Sequence, residues 1–245
     1  MRARCTAISS PARPARFAAV AAAAAAAAAL AGCGSVNDTP PDAPAEPDAS
    51  PDAATCPKDL LVGGTSMTVE AQGWTVAMQA PASLTYGADY VRLETTTNAS
   101  ARTSGQLLLH RQGSLPPPPF GFEVELLVER VNSHNQLDAA AAILGSFTPP
   151  AGVNSDRAEM IYLDAGQIGW ADDTQSSAAT IAGGVYHKVR LTVAADGTAQ
   201  VALDGNMVAS RAGFTSNGAI AVGDQTNDPA VDAATQIRRI TLLCP

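Results

Sequence analysis

Between Val185 and Ser210 the chain reads VYHKVRLTVAADGTAQVALDGNMVAS. Val185, His187, Val189, Leu191 and Val193 fall on one side of an extended backbone and Tyr186, Lys188, Arg190 and Thr192 on the other, the period of two of a half-buried strand. Asp196-Gly197 then supplies a hairpin turn. Ala199, Val201 and Leu203 resume the alternation, Asp204-Gly205 turns the chain again, and Met207-Val208-Ala209 opens a third strand. The pattern predicts a meander.

Similar runs occur at WTVAMQA, YVRLETT, QLLLHR, FGFEVELLVERV, EMIYLD, AIAVGD and IRRITLLC. Strands this short, set apart by glycine, proline and Asx turns and with no βαβ alternation, predict an all-β, two-sheet antiparallel sandwich from Cys56 onward. One helical pattern interrupts them, DAAAAILG near Asp138, and it predicts a single helical turn or an edge strand. Trp74, inside an alternating run, is expected in the core.

Before Cys56 the pattern is different. Arg2, Arg4, Arg13 and Arg16 precede an apolar run from Phe17 to Ala31 built mainly of alanine and ending in small residues, the layout of a secretory signal over residues 1–32. A membrane span needs roughly 20 strongly apolar residues, so cleavage is expected rather than a permanent helix. In residues 34–55, Pro40, Pro41, Pro44, Pro47 and Pro51 alternate with Asp38, Asp42, Glu46, Asp48 and Asp52, and large apolar side chains are nearly absent. Such a segment cannot bury a core and repels itself. Extended at about 3.1 Å per residue it would reach on the order of 70 Å.

Charge sharpens this division. Without the four arginines ahead of Leu30 the chain carries 11 basic against 23 acidic side chains, a balance of −12. An acidic surface with no basic patch excludes nucleic acid as a partner.

The residues closing the apolar run, Leu30-Ala31-Gly32-Cys33, resemble the bacterial lipobox. The resemblance implies that Cys33 is acylated and becomes the first residue of the mature protein, with residues 33–55 as its tether. Two or more acyl chains give stable anchoring where one does not. Gly34 follows Cys33 where an aspartate would imply retention at the inner membrane, so the outer membrane or cell surface is expected. Cys5 leaves with the signal, which leaves Cys56 and Cys244. In an oxidising compartment these two are expected to pair, placing the start and end of the domain side by side.

Tyr186-His187, LTVAADG, VALDGNMVAS, AIAVGDQ and the closing IRRITL together resemble the concanavalin A-like jelly roll of laminin-G-like and lectin/glucanase domains. The resemblance is good over about 60 C-terminal residues, and FGFEVELLV looks like the family's early central strand. It implies a binding module, most readily for carbohydrate, with aromatic faces that stack on sugars and acids that take hydroxyl hydrogen bonds. Trp170, Asp172, Asp173 and Tyr162 are the candidates, although Trp170 can equally pack in the core or cap the sandwich edge.

Some laminin-G-like domains bind calcium through rim loops, and Asp224, Asp228 and Asp232 in GDQTNDPAVDAAT are the candidate ligands, though their spacing matches no defined calcium loop. Glucanases of this superfamily carry paired acids on one strand, which points to Glu123, Glu125 and Glu129; a charged solvent face accounts for the same residues, and their spacing departs from the glucanase signature. A surface protein partner suits the same fold. His187 is expected to be a hydrogen-bonded structural residue, and no Gly-x-Ser-x-Gly, His-Glu-x-x-His or phosphate loop is present.

Overall fold

The computed structural model describes residues 56–96, 105–132, 141–145, 160–164, 166–170, 177–214, 217–224 and 232–244. Among these, fifteen strands numbered in chain order form two antiparallel sheets. Sheet A has the order β13 (Asn206–Arg211), β12 (Ala199–Leu203), β11 (His187–Val193), β6 (Phe120–Asn132), β15 (Asp232–Leu243), β4 (Val91–Glu94), β3 (Ser83–Tyr86), with β1 (Lys58–Val62) also on β15. Sheet B has the order β10 (Ser177–Thr180), β9 (Gln167–Trp170), β8 (Met160–Leu163), β7 (Ala141–Leu144), β14 (Ile220–Asp224), β5 (Leu107–Arg111), β2 (Thr75–Met78). The architecture is the two-sheet antiparallel jelly roll that the alternation predicts.

The core lies between the sheets. Phe122, Val124 and Leu126 of β6 and Val189, Leu191 and Val193 of β11 meet Leu107 and Leu109 of β5, Ile143 of β7, Ile161 of β8 and Val222 of β14 in one cluster. Each such side chain contributes about 1.5–3 kcal/mol when removed from water. Trp74 belongs to this cluster, and its Nε1 donates to the Leu60 carbonyl at 2.8 Å.

The meander forms as its turns dictate. β11 pairs β12 and β12 pairs β13, and both Asp204 and Gly205 take positive φ (50° and 85°), as a two-residue hairpin loop of this hand requires. Asp204 also anchors the turn to β11: Oδ1 accepts the Lys188 amide at 2.9 Å and Oδ2 meets His187 Nδ1 at 2.7 Å. His187 Nε2 lies 2.9 Å from the Ala182 carbonyl, so this histidine is the hydrogen-bonded structural residue its position suggests.

Two elements differ from the sequence expectation. The alanine run near Asp138 supplies β7, which lies inside sheet B between β8 and β14 and is neither a helical turn nor an edge. Ladder pairing on both sides overrides alanine's helix preference there. β15 begins at Asp232, well before Ile237, because Ala233 and Ala234 are buried and offer no large side chain to mark the alternation.

The disulfide Cys56–Cys244 is formed, with the two Cα atoms 5.4 Å apart. Lys58 pairs with Leu242 just beyond it, so the domain opens and closes at one place.

Candidate functional site

The aromatic candidates are withdrawn from solvent. Tyr162 is fully buried, and Trp170 is 9% exposed and belongs to the main core cluster, with the Arg211 guanidinium 4.8 Å from its ring centroid. A ring without accessible surface cannot stack on a sugar, so for Trp170 the core reading holds and Tyr162 is no platform. Cys33, Asp172, Asp173 and Asp228 lie outside the described residues.

The glutamates share the outer face of sheet A, because β6 alternates and its other side is core. Each meets a cation. Glu123 Oε2 accepts from Arg190 Nε and Nη2 at 3.0 and 2.7 Å, with Lys188 Nζ at 3.7 Å from its other oxygen. Glu125 lies 3.7 Å from Arg238. Glu129 accepts from Arg92 Nε at 2.9 and 3.0 Å and from the Gln236 amide, whose oxygen in turn accepts from the Tyr186 hydroxyl. Burial, the largest influence on Glu129, pushes its pKa up, but the bonds from Arg92 and Gln236 outweigh it and leave the group below its ordinary range.

Farther along β6 the charges close into a clamp. Glu94 bonds Arg92 at 2.5 Å and Arg130 at 2.8 Å. Arg130 also reaches Asp232 at 3.1 and 3.3 Å and the Thr96 carbonyl. The hydrogen bond from Arg92 dominates Glu94 and lowers its pKa despite burial. Asp232 is therefore held by Arg130, and a cation could use it only by displacing that arginine. Among the described residues no group of three or more His, Cys, Asp or Glu gathers as metal ligands.

At the opposite end of β6, beside the disulfide, the outer face opens into a groove of about 620 Å³. Gly121, Thr192, Gln200 and Arg190 contribute to its lining, with Pro57 and Leu243 at the disulfide side. A side chain at 121 would fill this space: a Cβ there would stand 3.1 Å from Thr192 Cγ2 and 3.6 Å from Leu243 Cβ. The sequence alternation puts Thr192 on the solvent face of β11, but the row it joins depends on strand register, which no short-range signal reveals.

No protein-family model matches this sequence, and no curated protein matches it either. Among solved structures the chain is similar to a sialidase at 15% identity over 71% of this chain, with a TM-score of 0.50; it spans only 17% of that protein. It is similar to a carbohydrate esterase from the Shiga toxin-encoding bacteriophage phi24B at 16% identity, covering 76% of this chain and 98% of that one, TM-score 0.50. It also matches the Ca2+/Man-bound exoplasmic/lumenal domain of VIP36 at 12% identity, covering 70% and 82% of the two chains, TM-score 0.46. At these identities the likeness is one of fold.

Proposed function

We propose that this chain is an exported, lipid-anchored surface protein whose β-sandwich is a carbohydrate-binding module. The observation that carries the reading is the shared architecture: the same sandwich spans 98% of a phage carbohydrate esterase and part of a sialidase, two proteins whose names place them on glycans. The signal, the LAGC sequence and the acidic proline-rich stretch fit a domain held away from a membrane, with Cys33 as the acylated residue and the outer membrane or cell surface as its place. Calcium would draw on Asp224, Asp228 and Asp232 and would have to displace Arg130 from Asp232.

Hydrolysis is less well served by the same residues. A glycosidase needs one carboxyl group raised enough to donate a proton, whereas Glu129 is lowered and Glu123 is fastened to Arg190. A glycan array probed with the purified protein, with and without calcium, tests the binding reading, and selective retention of a glycan family is the expected result. β-Glucan hydrolysis abolished by Glu123→Gln would replace it with an enzyme, and silence on every glycan would favour a protein partner. Cys33→Ser is expected to release the protein from membranes or block its processing; unchanged membrane association would remove the lipid anchor.

A further inference from the structure

Across the groove beside the disulfide, register builds a row that no single strand contains. Gly121 on β6 pairs with Thr192 on β11, and Thr192 pairs with Gln200 on β12; Leu243 on β15 flanks the row at one side and Ser210 on β13 at the other. The Thr192 hydroxyl and the Gln200 amide make no hydrogen bond to the described residues. Elsewhere on this face the long polar side chains are paired. Here a donor and acceptor set stands open over a glycine floor, and a mostly apolar lining with a few placed polar groups is the usual make-up of a small-molecule site.

Charge narrows the occupant. Arg190 is the one charged residue in the lining, and Nε and Nη2 both go to Glu123, leaving Nη1 as a spare donor. Lys188 also lies 3.7 Å from Glu123, so two cations share this one carboxylate. An anionic ligand would have to share the guanidinium with the Glu123 carboxylate and approach a chain whose acids outnumber its bases. An uncharged ligand rich in hydroxyls meets neither obstacle.

We propose that this groove is a subsite for a neutral saccharide. One sugar ring lies over Gly121, exchanges hydrogen bonds with Thr192 Oγ1, the Gln200 amide and Arg190 Nη1, and sets its apolar edge against Pro57 and Leu243. A volume of about 620 Å³ accommodates a ligand of one or two rings. The inference rests on the carbohydrate reading above and assigns it a place on sheet A.

The test titrates the full-length protein in detergent, by calorimetry, with neutral oligosaccharides from β-glucan, mannan, xylan and galactan, and with acidic ones from polygalacturonate and sialyllactose. A neutral oligosaccharide is expected to bind, Thr192→Val and Gln200→Ala each weakening it about fivefold, the effect of one lost hydrogen bond, with no change in melting temperature. Binding that survives both substitutions, or is lost instead in Asp172→Asn with Asp173→Asn, would overturn the subsite while leaving the carbohydrate function standing. Preference for the acidic sugars would overturn the neutral assignment. Failure of every saccharide to bind would overturn the subsite and the function together.

Discussion

At Arg130 the outer face of sheet A carries a chain of paired charges that runs from Glu129 to Arg92, Glu94, Arg130 and Asp232. About 30 Å back along the same strand, at roughly 3.3 Å per residue, Gly121 leaves a hollow bordered by Thr192 and Gln200, whose side chains make no hydrogen bond to the described residues. The two ends share a strand, a sheet and a solvent-facing side, so exposure does not separate them. Satisfaction of polar groups does. A paired charge that is half buried loses its partner only at a cost, and it holds structure. An unpaired hydroxyl over a glycine costs nothing to keep in water and is free to meet a ligand.

The comparison breaks most severely at the disulfide, which borders the open end. Cys56→Ser with Cys244→Ser is expected to destabilise the domain by about 4 kcal/mol, because the bond closes a loop spanning 188 residues. Thermal melts with and without reductant check this; equal melting temperatures would show that strand pairing alone holds the ends. Next comes the clamp. Arg130→Met leaves the Asp232 carboxylate, with only 2% of its side chain exposed, without its partner and is expected to cost about 3 kcal/mol. Adding Asp232→Asn should recover much of that loss in denaturant unfolding, and failure to recover would mean that Arg130 acts through packing alone.

The smallest effect is acid titration of the paired end. Glu94 and Glu129 both lie below their ordinary value of 4.5, Glu94 chiefly through the Arg92 hydrogen bond and Glu129 because the bonds of Arg92 and Gln236 exceed the upward push of burial. A carboxylate lowered in the folded state adds stability that is fully present above its unfolded pKa and disappears as pH falls through the folded value. Stability is therefore expected to hold from neutrality to about pH 4.5 and decline below it, with Glu94→Gln flattening the decline. Thr192→Val and Gln200→Ala at the open end should leave the profile unchanged.

Much of the sandwich was readable from the chain. The β11 to β13 meander, the length of β6 and the pairing of Cys56 with Cys244 follow from period-two alternation, Asp-Gly turns and a cysteine count. The site was far less so. Trp170 and Tyr162 were candidate stacking rings because aromatics beside acids are a local pattern, and the sequence left Trp170 equally open to the core, whereas the fold buries Tyr162 fully and sets Trp170 in the main core cluster. Asp232 looked like a loop ligand because Ala233 and Ala234 hide a strand, and only the fold brings Arg130 to it across 102 positions of sequence.

Sequence by itself determined which residues alternate, where the chain must turn, and the acidic character that repels anions; these depend on neighbours a few positions apart. Tertiary structure decided which glutamates are held by arginines and which polar groups stay open, because cross-strand register joins Gly121, Thr192 and Gln200 from three separate segments. A shift of one residue in that register would turn Thr192 into the core and bring Leu191 to the surface.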